Sequence, residues 1–509
     1  MEFFFLTFIS ILFNFLLPLQ KIFPLIIIFG LISFSYLILQ KKLKINIIIF
    51  SLILLFFIFI NFENGHNVDS PVYHTQTIRW SYSNKIVFGL SNLDWLYSLN
   101  SSWHIFLSLL KFKFKDVDTI YLISFIPLSI IYYQIYLSIF KKRNLSEISI
   151  FLSGSYILFF SIIHPFKNGV IFNHLGNPEV DTVAMMFYIV SFYSFLKFYE
   201  QENNYNYFFI LITSSLLCVL TKITYIGILI LPIYLIINNL GLIKKELLNF
   251  VLISFLGFLW MCRNYILSSC LIYPVKFTCL KSNWYFGDER IDLLVNATKG
   301  FSRDTRARDR YLDFDHTIYS FDWFKPWFND YFLNTSLLKI STFIIVLSFL
   351  VICIQVFLKK YNKLYFNKKF ILLIILSFFI NIYFWMQAPE IRFGWGFLIF
   401  YPCMFLGYAI LNIKNIKFIL SRTALLISFS LLFALSINKN YKNLTFDNLF
   451  NQYKHEYNYK NIKSIGTFNG YEIFVSEDWK CSDFEKICVN SPKKNYNITE
   501  KFGYTFFNN

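Results

Sequence analysis

The sequence predicts an all-α polytopic membrane protein, a bundle of about 13 transmembrane helices with amphipathic helices in its first external loop, and three observations predict the membrane bundle. Of 509 residues, 56% are hydrophobic and only 15% charged, more apolar surface than a soluble domain can hide. Apolar runs long enough to cross a hydrocarbon core of ~30 Å recur along the chain. Lysines gather in the short stretches between those runs, as in cytoplasmic loops. That pattern accounts for the net charge of +17, so no nucleic-acid partner is expected. The wealth of Phe, Ile, Asn and Lys fits AT-rich coding and carries no functional weight.

In chain order, the expected spans lie near 2–19, 22–40, 45–62, 118–140, 147–166, 182–199, 206–221, 224–240, 249–268, 337–358, 370–387, 394–412 and 418–437. The first carries Glu2 where a secretory signal carries basic residues and has no small-residue cleavage site, so it reads as a retained span. Segment 102–113 is apolar but short, and it and the amphipathic stretch 71–83 are expected to lie along the membrane interface. Lys41, Lys42 and Lys44 form one basic loop, and Lys141, Lys142 and Arg143 a second. Further loops hold Lys244 and Lys245, then Lys359, Lys360, Lys363, Lys368 and Lys369, then Lys414 and Lys417. Counting spans, all fall on one side, which the positive-inside rule makes cytoplasmic. Loops 63–117 and 269–336 are then external. So is a small C-terminal appendage, 438–509, beyond a transmembrane domain of 1–437. The expected location is the bacterial inner membrane, with the reactive face on the periplasmic side.

Cys218, Cys262, Cys353 and Cys403 lie in or beside spans, where a thiol is usually a small apolar filler. Cys270 with Cys279, and Cys481 with Cys488, lie on the external side, and the spacing suggests two short-range disulfides, although four cysteines allow other pairings.

With this topology the unusual polar residues stand level in depth. Glu63, Asp69, His74 and Arg79 follow the third span; His174, Glu179 and Asp181 precede the sixth. Lys222 ends the seventh, Arg263 and Asn264 lie near the outer end of the ninth, and Glu390 and Arg392 separate the eleventh from the twelfth. Each has a plainer reading. Asp69 or Asp181 could cap a helix. Lys222 and Arg263 could be snorkelling anchors. Glu390 could pair with Arg392, and His74 could be an interfacial hydrogen-bonder. Together they supply carboxylates to take a proton and arginines to hold a phosphate. Outside the cytoplasm the activated sugar at hand is one carried across on a polyprenyl phosphate.

The second loop adds Arg290, Arg303, Arg306, Arg308 and Arg310 with Trp284, Trp323 and Trp327. These suit phosphates and sugar faces, or equally a solvated loop beside an aromatic belt. Asp313-Phe314-Asp315 could take a divalent ion, but no metal and no cofactor is assigned.

These residues resemble motifs of the GT-C superfamily of integral-membrane glycosyltransferases, in particular an uncharacterised bacterial branch. The matching stretches are Asp69-Ser70-Pro71-Val72-Tyr73-His74, continuing to Gly89-Leu90-Ser91-Asn92-Leu93 and Asn100-Ser101-Ser102-Trp103, and Gly176-Asn177-Pro178-Glu179-Val180-Asp181. Trp260-Met261-Cys262-Arg263-Asn264-Tyr265 with Tyr273-Pro274, and Ala388-Pro389-Glu390-Ile391-Arg392-Phe393, complete the set. Where better-known members have a tight acidic pair, this chain offers Glu63 and Asp69. The resemblance implies transfer of a sugar from a polyprenyl-phosphate donor to an envelope glycan, lipid or protein acceptor. Asp69 would be the general base, with Glu63 and His74 beside it. Arg263, Arg392 and Lys222 would hold the donor phosphate, and Glu179, Asp181, Asn264 and Glu390 would support them. The competing readings are a polysaccharide polymerase or ligase working through the arginine-rich loop, a lipid-linked oligosaccharide transporter, and a non-catalytic assembly factor.

Overall fold

The computed structural model describes residues 2–39, 45–60, 69–114, 117–140, 144–159, 176–201, 204–303, 320–357, 368–411, 430–431, 461–490, 492–493 and 495–508. Most of these are helical. Five helices are long and apolar enough to cross a membrane: Thr119–Ile139, Val180–Glu200, Leu247–Ser268, Ser336–Ile354 and Ile391–Leu411. A sixth candidate is a bent pair, Phe3–Asn14 with Leu19–Ser33, which turns by 117° at Pro18, whose extended backbone ends the first helix.

The expectation of about thirteen spans is therefore corrected to five, or six with the bent pair, among the described residues. Hydropathy windows see composition but not helix length. The expected spans 206–221 and 224–240 do part at Lys222, which adopts an extended conformation (φ −151°), but the apolar helices on either side of it fall short of a full span. What results is a helix at Tyr205–Thr221, a 3₁₀ segment at Ile223–Leu229 and a short helix at Ile230–Asn238. Helices Ile47–Ile58, Leu145–Leu158 and Lys369–Trp385 are apolar but shorter than a full span. The expected span 418–437 lies almost wholly outside the described residues.

Val180–Glu200 is the central helix, with 83% of its apolar window buried against 22% for Ser336–Ile354. It packs most extensively on Tyr205–Thr221. At its far end, buried Lys197 pairs with Glu147 at the start of Leu145–Leu158. The apolar faces left open on the peripheral helices, among them Phe29, Ile32, Phe343 and Phe349, suit lipid.

The first long loop differs from expectation in where it goes. The helix Ser102–Leu109 is buried on every side, and Thr75–Ser83 buries most of its length. A short apolar helix can serve an interior as well as an interface, and here it is covered by protein. The covering comes partly from the C-terminal region. There, strands Ile462–Phe468 and Tyr471–Ser476 pair antiparallel, Ile487–Val489 joins in parallel, and Asn497–Lys501 with Tyr504–Asn508 forms a separate hairpin. Phe88 bridges to this last strand, receiving from the Phe507 amide and donating to the Thr505 carbonyl, both at 2.9 Å. Gly89 is required beside it. Its φ is +66°, and a Cβ there would stand 2.3 Å from the Phe507 carbonyl oxygen. Disulfides join Cys270 to Cys279 and Cys481 to Cys488.

Candidate functional site

Four breaks in the helical structure converge. The Ser70–His74 turn, π-helical in form, opens the first loop. Pro178 and Glu179 precede Val180–Glu200, Lys222 ends Tyr205–Thr221, and a 3₁₀ turn, Ile391–Gly394, leads into Trp395–Leu411. Each break places a charged side chain beside a helix end, where carboxylates favour N-termini and cations C-termini. Asp181 sits in the first turn of its helix, and Lys222 just past the last turn of its own.

Arg392 is the hub. Its Nη1 donates to Asp69 Oδ2 at 2.5 Å and to Glu179 Oε1 at 3.4 Å, and stands 3.8 Å from Asp181 Oδ2. Lys222 pairs with Asp181 and lies over the Phe393 ring at 3.7 Å. Exposure sorts these groups into two layers. The Asp69 and Arg392 side chains are 25% and 19% exposed, whereas those of Glu179 and Asp181 are 1% and 2% exposed. Asp69 occupies the cap position of its turn but makes no side-chain cap bond, so the capping reading does not describe it.

Neighbouring groups fix the Arg392 turn. Tyr331 receives from the Ile391 amide and donates to Glu390 Oε1, both at 3.0 Å. The Trp385 indole donates to the Glu390 carbonyl at 2.8 Å. Sequence reasoning missed Tyr331, for nothing near it in the chain marks it.

Two histidines lie behind the turn. The rings of His74 and His104 are 4.8 Å apart. His104 Nε2 meets the Pro178 carbonyl at 3.1 Å, while neither ring nitrogen of buried His74 has a hydrogen-bond partner among the described residues. Burial lowers both imidazoles below their ordinary range. For His74, Glu179 and Asp69 pull the other way; for His104, the neighbouring His74 lowers it further. Both are therefore neutral at pH 7. Burial, with Asp69 and Glu179 adding to it, pushes the Tyr73 phenol well up. His104 follows directly on Asn100-Ser101-Ser102-Trp103, and a histidine opening an apolar segment was the available signal.

Arg263 and Asn264 belong elsewhere. The Arg263 guanidinium is spread over neutral oxygens: Nε to Asn100 Oδ1 at 2.9 Å, Nη1 to Asn14 Oδ1 at 2.5 Å and Nη2 to Ser81 Oγ at 2.9 Å. Expected to share the phosphate with Arg392, it instead ties the first helix to the first loop. Asn264 is buried with neither side-chain polar atom partnered. Arg303 lies over the Trp323 ring at 4.7 Å. Glu63, His174, Arg306, Arg308, Arg310 and the Asp313–Asp315 triplet lie outside the described residues. Among the described residues no group of three or more His, Cys, Asp or Glu is arranged to hold a metal ion.

The arrangement offers an accessible carboxylate, an accessible guanidinium beside it, and a buried charged floor that keeps the guanidinium in place. It can exchange protons at Asp69 and bind an oxyanion at Arg392. No curated protein and no solved structure matches the chain. One family model does, over residues 2–399, and its description is a domain of unknown function, DUF8201. That match takes in Asp69, Glu179, Asp181, Lys222 and Arg392, and on its extent the chain belongs to this family.

Proposed function

We propose that the protein is a membrane glycosyltransferase that moves a sugar from a polyprenyl-phosphate donor to a cell-envelope acceptor, at the periplasmic face of a bacterial inner membrane. The observation that carries this reading is the accessible Asp69–Arg392 pair standing on buried Glu179 and Asp181, with Lys222 paired to Asp181.

Without donor, the Asp69 carboxylate oxygen is occupied by the Arg392 guanidinium and is not open to an acceptor hydroxyl. A donor phosphate would compete for the Arg392 fork. Asp69, the exposed partner, is the one that yields, while Glu179 and Asp181 still hold Arg392 from below. The exchange frees Asp69 as the phosphate takes its place. The acceptor hydroxyl oxygen then attacks the anomeric carbon, its proton passes to Asp69, and the carbon–oxygen bond to phosphate breaks. The leaving phosphate keeps the pair of electrons and is stabilised by Arg392 and Lys222. One displacement inverts the anomeric centre.

The test uses purified full-length protein in vesicles with a short-chain polyprenyl-phosphate hexose, reading the anomeric configuration of the product. Transfer with inversion is expected. A positioned base is worth ~10²–10⁴-fold, so Asp69→Asn should lose that much while its melting temperature is kept. Transfer from a nucleotide sugar alone, or normal turnover by Asp69→Asn, overturns the reading.

A further inference from the structure

We infer that the C-terminal cystine hairpin positions the Asp69-bearing turn, with Ser482 and Asn490 holding the carbonyls of Pro71 and Val72. What the turn then does rests on the reading above; that it is held this way does not.

The turn is a single π-helical one, closed by the Thr75 amide on the Ser70 carbonyl, and side chains and the tail add to that backbone bond. Asp69 makes no cap bond, and Pro71 has no N–H to give. Thr75 Oγ1 donates to the Ser70 carbonyl and Thr77 Oγ1 to that of Tyr73, both at 2.9 Å. The two carbonyls between them also receive from the tail. Ser482 N donates to Pro71 O at 2.7 Å, and Asn490 Nδ2 to Val72 O at 2.9 Å. One residue past the turn's end at Thr75, Gln76 Nε2 returns bonds to the carbonyls of Ser482 at 2.9 Å and Phe484 at 3.1 Å.

Both donors stand beside the bridged cysteines. Ser482 follows Cys481, Asn490 lies two residues past Cys488, and both cysteines are wholly buried. The bridge holds the two ends of the hairpin together, so the two donors reach adjacent carbonyls at once. The hairpin is itself tethered to the loop it supports. Tyr97 Oη donates to the Cys488 carbonyl at 2.9 Å, Asp94 Oδ2 accepts from Asn490 N at 3.0 Å, and Lys111 reaches Asp483 at 3.1 Å. Asp69 is therefore clamped twice, its carboxylate by Arg392 and its turn by the tail. The family match ends at residue 399, so this second clamp comes from chain outside the matched region.

General docking of the tail does not depend on the Val72 bond. The Phe88 bridge and the Tyr504 hydroxyl on the Phe15 carbonyl at 2.9 Å lie elsewhere. Asn490→Ala thus removes one contact to the turn and leaves the tail seated.

The experiment is hydrogen exchange on the full-length protein, comparing wild type, Asn490→Ala and the double variant Cys481→Ser/Cys488→Ser. Exchange over 70–78 should quicken by roughly 2- to 10-fold, the range for one lost hydrogen bond, and more in the double variant. It should not change over 86–93 or 180–200 in Asn490→Ala. In the transfer assay Asn490→Ala should lower kcat and leave the donor KM unchanged, because Arg392 is untouched. Unchanged exchange over 70–78, or a rise spread evenly over the chain, overturns the inference. If the wild type transfers no sugar, the glycosyltransferase reading fails while the exchange data still decide the role of the hairpin.

Discussion

Arg263 and Arg392 both stand at the end of an apolar helix with most of their length buried, yet the partners around them are of opposite kinds. Arg263 donates to an asparagine, a second asparagine and a serine from three separate segments. Among the described residues Arg392 pairs with three carboxylates, one accessible and two buried. Neutral oxygens fixed in three directions use the planar fork as a fastener, and a phosphate arriving there would have to break the first helix from the first loop. A carboxylate is chemically interchangeable with a phosphate as a guanidinium partner. On the proposed reading the same residue type is thus architecture in one place and a binding group in the other, and what decides is whether an ionic partner can leave without exposing the core.

The sharpest break of this comparison is Arg263→Lys. An ammonium keeps the charge but cannot reach Asn14, Ser81 and Asn100 together. Losing two charge-assisted bonds should cost about 3 kcal/mol, read as a fall in denaturation midpoint. Transfer per folded molecule should stay near wild type. A stable Arg263→Lys protein that fails to transfer would mean that the two arginines share one task.

A smaller effect separates the regions by pH. The partners of Arg263 do not titrate, whereas the Arg392 cluster has His74 behind it. The unfolded chain protonates His74 near pH 6.5, and the folded imidazole, held lower, resists. The stability linked to it is present above pH 6.5 and drains as pH falls through that value toward the folded pKa. His74→Leu removes this term. The loss of stability between pH 7.5 and 5.5 should be smaller than in wild type. An unchanged loss would show that His74 is protonated as readily in the folded protein as in the unfolded one.

Much of the cluster was legible because a charge at the end of an apolar run is conspicuous. Asp69, Glu179, Asp181, Lys222 and Arg392 all stood out in this way, and the structure brings them together. Arg263 stood out equally and was grouped with them, because its partners Asn14, Ser81 and Asn100 are neutral and come from segments remote in sequence. Helical content was legible from apolar length, but the number of spans was not. A hydropathy window does not show that the helices on either side of Lys222, or of the bend at Pro18, stop short of a full span. The hold of the tail on the first loop left no signal, since Ser482 and Asn490 bind backbone carbonyls, which every residue carries.

The most direct measurement is donor affinity for purified Arg392→Lys and Arg263→Lys, titrated with a polyprenyl-phosphate sugar and corrected for folded fraction. Losing the bidentate fork on phosphate is worth about 1.4 kcal/mol or more, so Arg392→Lys should bind at least about tenfold more weakly. Arg263→Lys should match wild type. Equal affinity in all three proteins, or a loss confined to Arg263→Lys, would contradict the placement of the donor phosphate at Arg392 and with it the freeing of Asp69 as the base.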